Sequence, residues 1–196
     1  YIVTELECPG YIVDDAQRII HLDGGEQAQF VFTNSKLPSL HLYKESADGT
    51  PLGGVTYRLA KIEDGSRYLD RTTSSTGEIC WEGLEPGVYS LIETSTVSDH
   101  LLDTTEYHVE LFPGQDSTVV LQNDKRPNLT VVKRDADSGE PVADTVFLVE
   151  AADGHSVDEI KTGPDGTAVL ENLLPGVYEI SEKSVPSPYL MDAEPQ

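Results

Sequence analysis

Apolar and polar residues alternate along this chain in short runs. Leu40-His41-Leu42-Tyr43-Lys44, Leu129-Thr130-Val131-Val132-Lys133 and Tyr178-Glu179-Ile180-Ser181-Glu182 are typical. A period of two marks a strand with one buried face. Turn signals separate the runs: Asp48-Gly49, Gly53-Gly54, Asp64-Gly65, Pro113-Gly114, Asp153-Gly154 and Pro164-Asp165-Gly166. No segment sustains the 3.6-residue period of an amphipathic helix. The pattern predicts an all-β chain throughout.

The same pattern recurs at a fixed distance. Asn34 and Asn123, Lys44 and Lys133, Gly77 and Gly166, Pro86 and Pro175, and Glu93 and Glu182 are each 89 positions apart. That period is too long for a solenoid and fits a small independent domain. It divides the chain into residues 1–36, the end of one repeat, 39–124, a complete repeat, and 128–196, a repeat without its last strand. About seven short strands within 39–124 predict a tandem array of antiparallel β-sandwiches of Ig-like size. Pro38 and Pro127 sit in short connections and favour extended backbone, as in a stiff rod.

Strand parity then singles out polar residues on the apolar face. Lys44 follows Leu40 and Leu42; Lys133 follows Leu129 and Val131. Glu93 follows Tyr89 and Leu91; Glu182 follows Tyr178 and Ile180. Asn123 follows Val119 and Leu121; Asn34 follows Phe30 and Phe32. Burial of an unpaired charge favours its neutral form. A neutral lysine is a nucleophile, and a protonated glutamate can polarise an asparagine carbonyl. Together they suit acyl transfer, giving a Lys–Asn isopeptide bond and ammonia. All these residues also lie at strand ends, where a rim Lys–Glu salt bridge and a turn asparagine would carry the same letters.

Composition narrows the classes. The 196 residues carry 13 Lys and Arg against 35 Asp and Glu, a formal charge of −22. Such a surface does not suit nucleic acid or anionic membrane. No window of about 18 apolar residues occurs. The chain begins at Tyr1 without a signal peptide, as expected of a mature or excised piece. Cys8 and Cys80 read as two independent buried thiols, and Trp81 as packing. The five histidines, His21, His41, His100, His108 and His155, have no ligand spacing. Asp135, Asp137 and Gly139 lack the later glutamate of a calcium loop and read as a solvated turn. No cofactor or metal is expected.

The repeats resemble Cna-B-type domains, the prealbumin-like modules of Gram-positive surface adhesins and pilins. The resemblance rests on Lys44-Glu45-Ser46-Ala47-Asp48-Gly49 and Lys133-Arg134-Asp135-Ala136-Asp137-Ser138-Gly139. It rests too on Pro51-Leu52-Gly53-Gly54-Val55 with Pro141-Val142-Ala143-Asp144-Thr145, and on Leu84-Glu85-Pro86-Gly87-Val88-Tyr89 with Leu173-Leu174-Pro175-Gly176-Val177-Tyr178. It implies an autocatalytic intramolecular bond between Lys44 and Asn123, assisted by Glu93. Lys133 and Glu182 would be its counterparts in the last repeat, and Asn34 and Glu5 in the first. Glu5 lies 88 rather than 89 residues before Glu93. The bond would tie the first strand to the last, close to where the chain enters and leaves the domain.

The resemblance also implies an extracellular, cell-wall location and a role as stalk or shaft rather than as a turnover enzyme. An adhesive module for a host protein, matrix component or glycan, and an accessory domain of a secreted enzyme, are the alternatives. Expected partners are neighbouring repeats, with the chain a monomer. Head-to-tail exchange of residues 16–36 into a second copy's 128–196 is a further arrangement.

Overall fold

The computed structural model describes residues 1–13, 17–63, 65, 68–152, 154 and 156–191. Asp64, Asp153 and His155, singled out above, lie outside the described residues. Every regular element described is a strand, in keeping with the period-two pattern. The chain divides into two compact units, Tyr1–Val97 with Leu102–Asp124, and Ser98–Leu101 with Lys125–Gln196.

The first unit opens with β1 (Ile2–Thr4), β2 (Tyr11–Val13), β3 (Gln17–Ile19) and β4 (Asn34–Lys36). They form two antiparallel pairs, β1 with β3 and β2 with β4. A seven-stranded sandwich follows: β5 (Ser39–Ser46), β6 (Thr56–Lys61), β7 (Tyr68–Thr72), β8 (Glu78–Trp81), β9 (Gly87–Ser95), β10 (Glu106–Leu111) and β11 (Asp116–Asn123). One sheet has the order β10-β9-β6-β7 and the other β11-β5-β8. Between them lies a core that includes Leu40, Leu42, Tyr57, Leu59, Trp81, Leu91 and Leu111, all at most 1% exposed.

One ladder departs from the antiparallel expectation. β11 runs parallel to β5, Ser39 opposite Asp116 and Ser46 opposite Asn123. Adjacent parallel strands need a long crossover, and β6 to β10 supply it. Because the strands are parallel, the chain enters at one end of the ladder and leaves at the other. Lys44 and Asn123 both lie at the exit end. The expectation that they sit close to both chain ends is corrected to the exit alone.

The second unit contains β12 (Leu129–Val132), β13 (Val146–Ala151), β14 (Ser156–Lys161), β15 (Thr167–Leu170) and β16 (Tyr178–Ser184). One sheet is β14-β13-β16 and the other β12-β15. Phe147, Val149, Ile160 and Ala168 form its core, with Leu129, Val131, Tyr178 and Ile180 packed against them. β12 is half the length of β5. Among the described residues it pairs with β15 only, whereas β5 has a neighbour on each edge.

Register explains the irregular spacing of Glu5. Val3 pairs with Arg18 and Thr4 with Gln17, as Leu91 pairs with Tyr107 and Ile92 with Glu106. Glu5 therefore follows β1 where Glu93 follows Ile92, and the connection from Glu5 to β3 is one residue shorter. Beyond it the 89-residue spacing returns. Tyr11 pairs with Lys36 as His100 bridges Lys125. Leu37 N donates to Gly10 O at 2.9 Å, and Arg126 N to Asp99 O at 2.8 Å.

Candidate functional site

The backbone of Lys44 is held from two sides. Its N–H donates to Gly77 O at 2.7 Å, and its carbonyl accepts from Leu52 N at 2.8 Å. Gly77 has φ +75°, and a Cβ there would stand 2.2 Å from Lys44 O. Only glycine allows this approach. The second unit repeats the clamp: Lys133 N donates to Gly166 O, and Val142 N to Lys133 O. A Cβ on Gly166 would meet Lys133 O at 2.5 Å.

This clamp and the alternation of β5 turn Lys44 inward, fully buried. Glu93 on β9 and Asn123 on β11 are 3% and 2% exposed. Lys44 Nζ donates to Asn123 Oδ1 at 2.6 Å and lies 3.0 Å from Glu93 Oε2. Asn123 Nδ2 donates to Glu93 Oε1 at 2.7 Å and to Thr96 Oγ1 at 3.0 Å. The β5–β11 sheet thus supplies the amine and the carboxamide, and the facing sheet the carboxyl. The alternative of a solvated rim salt bridge does not describe these three residues.

Burial holds the Lys44 ammonium below its ordinary range, and the hydrogen bond and charge of Glu93 only partly oppose this. Asp103 adds a weaker pull in the same direction as Glu93. Burial also tends to raise the Asp103 carboxyl. Hydrogen bonds from Thr105 and Tyr107 reverse this and leave it below its usual value.

Tyr57 escaped the sequence reading. It lies opposite Glu93 in the β6–β9 ladder and donates its hydroxyl to Glu93 Oε2 at 2.9 Å. It is fully buried, and its ring centroid is 5.5 Å from Lys44 Nζ. Burial, followed by the charge of Glu93, pushes its phenol far above the ordinary range. Parity could have found it, since Val55, Tyr57 and Leu59 share a face. An aromatic on that face reads as core, and the sequence alone gives its hydroxyl no partner.

The outlying candidates form two half-sites. Asn34 Nδ2 donates to Glu5 Oε1, as Asn123 does to Glu93. Asn34 Oδ1 and Glu5 Oε2, the atoms that Lys44 meets in the complete site, are buried with no hydrogen-bond partner among the described residues. Lys133 Nζ pairs with Glu182. Its side chain is 24% exposed, where that of Lys44 is fully buried. Opposite Glu182 the residue equivalent to Tyr57 is Phe147.

The other sequence candidates fall elsewhere. Asp135 Oδ1 accepts from Asp137 N, Ser138 N and Ser138 Oγ, which makes an exposed turn. Trp81 is core, its Nε1 donating to Leu69 O at 3.3 Å. The expectation of two buried thiols is corrected at both: Cys80 is only half-buried, and Cys8 is exposed. It lies at the β1–β2 turn, where Tyr11 N donates to its carbonyl at 3.0 Å.

Comparison with known proteins adds the family. The SpaA prealbumin-like fold domain matches residues 38–125 and again 127–196. No curated protein matches the chain. Among solved structures, the shaft pilin SpaA from Lactobacillus rhamnosus GG has a TM-score of 0.51 at 15% identity, over 78% of this chain and 89% of that one. The Bacillus anthracis TIE protein has a TM-score of 0.47 at 23% identity, over 84% of this chain. The chain spans 34% of the length of that protein. A Streptococcal ancillary pilin has a TM-score of 0.46 at 20% identity, over 98% of this chain and 68% of its own. Two tandem matches that take up most of the sequence, on an all-β framework, show that the chain belongs to the SpaA prealbumin-like fold domain family.

Proposed function

We propose that these are stalk repeats of a bacterial surface protein, and that residues 39–124 close themselves with an isopeptide bond between Lys44 and Asn123. The observation that supports this best is the dry contact of Lys44, Glu93 and Asn123. Lys44 passes a proton to Glu93 and becomes a neutral amine. Its Nζ forms a bond to Asn123 Cγ, and the Cγ–Nδ2 bond breaks. Glu93 returns the proton to the departing nitrogen, which leaves as ammonia, and takes up the second proton that Nζ sheds as it becomes an amide nitrogen. Nδ2, the atom that must leave, already faces Glu93 Oε1. The reaction occurs once per molecule and is not turnover catalysis.

Such a bond suits an exposed shaft, whose working stability is kinetic. Tension arriving along β5 would cross at Lys44 and leave at Asn123, so residues 45–122 would carry none of it. A reductant that opens disulfides would not open this link. The same reading makes residues 1–36 the close of a preceding repeat, 39–124 a whole one and 128–196 the start of the next. The matching hydrogen bonds at Leu37 and Arg126 support that division. Partners are then neighbouring repeats and subunits, and the location is the cell wall.

Intact mass of the purified chain tests the bond. The expected value is one ammonia below the sequence mass, with a branched peptide joining Lys44 to Asn123 after digestion. A full sequence mass would overturn it.

A further inference from the structure

Glu93 uses both carboxylate oxygens, and they face different partners. Oε1 accepts from Asn123 Nδ2 at 2.7 Å and, more weakly, from Asp103 N at 3.4 Å. Oε2 faces Lys44 Nζ at 3.0 Å and accepts the Tyr57 hydroxyl at 2.9 Å. Without Tyr57, Lys44 would be the sole hydrogen-bonding partner described at Oε2. The carboxyl could then turn about its last side-chain bond, and Oε1 would lose its aim at the leaving nitrogen.

We propose that Tyr57 is a positioning residue for the crosslinking step, acting through Glu93. This rests on the Lys44–Asn123 reading above. The Tyr57 hydroxyl fixes the carboxyl plane with Oε2 toward the amine and Oε1 toward the carboxamide. The phenol suits this because burial keeps it protonated, so it remains a donor.

The chain contains its own contrast. Phe147 faces Glu182 in the second unit as Tyr57 faces Glu93, and it sits in the core at 7% exposure. The sandwich therefore accepts a plain ring at this place. The hydroxyl is dispensable for packing, which separates a role in the chemistry from a role in folding.

The test uses Tyr57→Phe in the full chain, made by cell-free synthesis and followed by intact mass over time at several pH values. The variant should fold with an unchanged circular dichroism spectrum but lose ammonia about ten- to a hundredfold more slowly, the effect of one hydrogen bond to a charged group. Its pH profile should shift relative to wild type. Fluorotyrosine at position 57 should change the rate in step with phenol acidity, which a packing role would not do. Equal rates and profiles for wild type and Tyr57→Phe would overturn the proposal and leave the crosslink standing. A wild-type chain that never loses ammonia would overturn both.

Discussion

Lys44 donates to Asn123 across the β5–β11 ladder, although its backbone partner in that ladder is Leu121. The two side chains meet on a diagonal, on the face that points into the sandwich. The pairing of Lys44 with Leu121 makes this possible, because residues two apart on a strand share a face. The long lysine stem spans the offset and brings Nζ to the carboxamide without moving either backbone.

The carboxyl group is open to direct test. Glu93→Gln keeps shape and hydrogen-bonding capacity but removes the acid–base function. The variant is expected to fold and to retain the full sequence mass. Loss of ammonia at the wild-type rate would take the proton-transfer role away from Glu93.

Stability should depend on pH in a chain that cannot crosslink. In Asn123→Ala, burial still holds Lys44 below its ordinary 10.5. Between that lowered value and 10.5 the unfolded chain binds a proton that the folded chain lacks. Stability therefore rises with pH across this window, by up to about 1.4 kcal/mol per pH unit. Past about pH 10 the buried Tyr57 phenol reverses the trend, since the unfolded tyrosine ionises there and the folded one does not. Urea titrations at stepped pH should show the rise, and Lys44→Met in the same background should remove it.

The glycine clamp gives a third expectation. Gly77→Ala must place a methyl on Lys44 O in a left-handed backbone. It should cost at least about 1–2 kcal/mol and leave a fraction of molecules uncrosslinked. Gly49→Ala is the control: its φ is also positive, at +81°, but the space beside it is open. Only the first should change the intact mass distribution.

Mechanical extension gives a fourth. With the bond in place, pulling residues 39–124 from their ends should release almost no chain. In Asn123→Ala the repeat should unravel and add roughly 260–280 Å of contour, from about 3.3–3.6 Å for each residue freed. At equilibrium the closed loop should contribute about 4–5 kcal/mol of stability by the chain-entropy estimate. Equal extension of the two proteins would remove the bond from the load path.

Much of this was legible in the residues. Alternation gave the strands, and the 89-residue spacing gave the repeats. Parity put Lys44, Glu93 and Asn123 on inward faces, because a strand's period of two is local geometry. The family resemblance joined those residues into one site.

What the sequence determined by itself is therefore which side chains face inward and how often the pattern recurs. Only the tertiary structure decided which of them touch. The parallel direction of β11 against β5 depends on five intervening strands, and no local pattern encodes it. The place of Glu5 follows from pairing with β3, so counting along the chain missed by one residue what register restores. Tyr57 reads as core from its neighbours, and its hydroxyl gains a role only because Glu93 lies opposite. Contact between distant strands is set by sheet register and by the facing of two sheets, and these are properties of the folded whole.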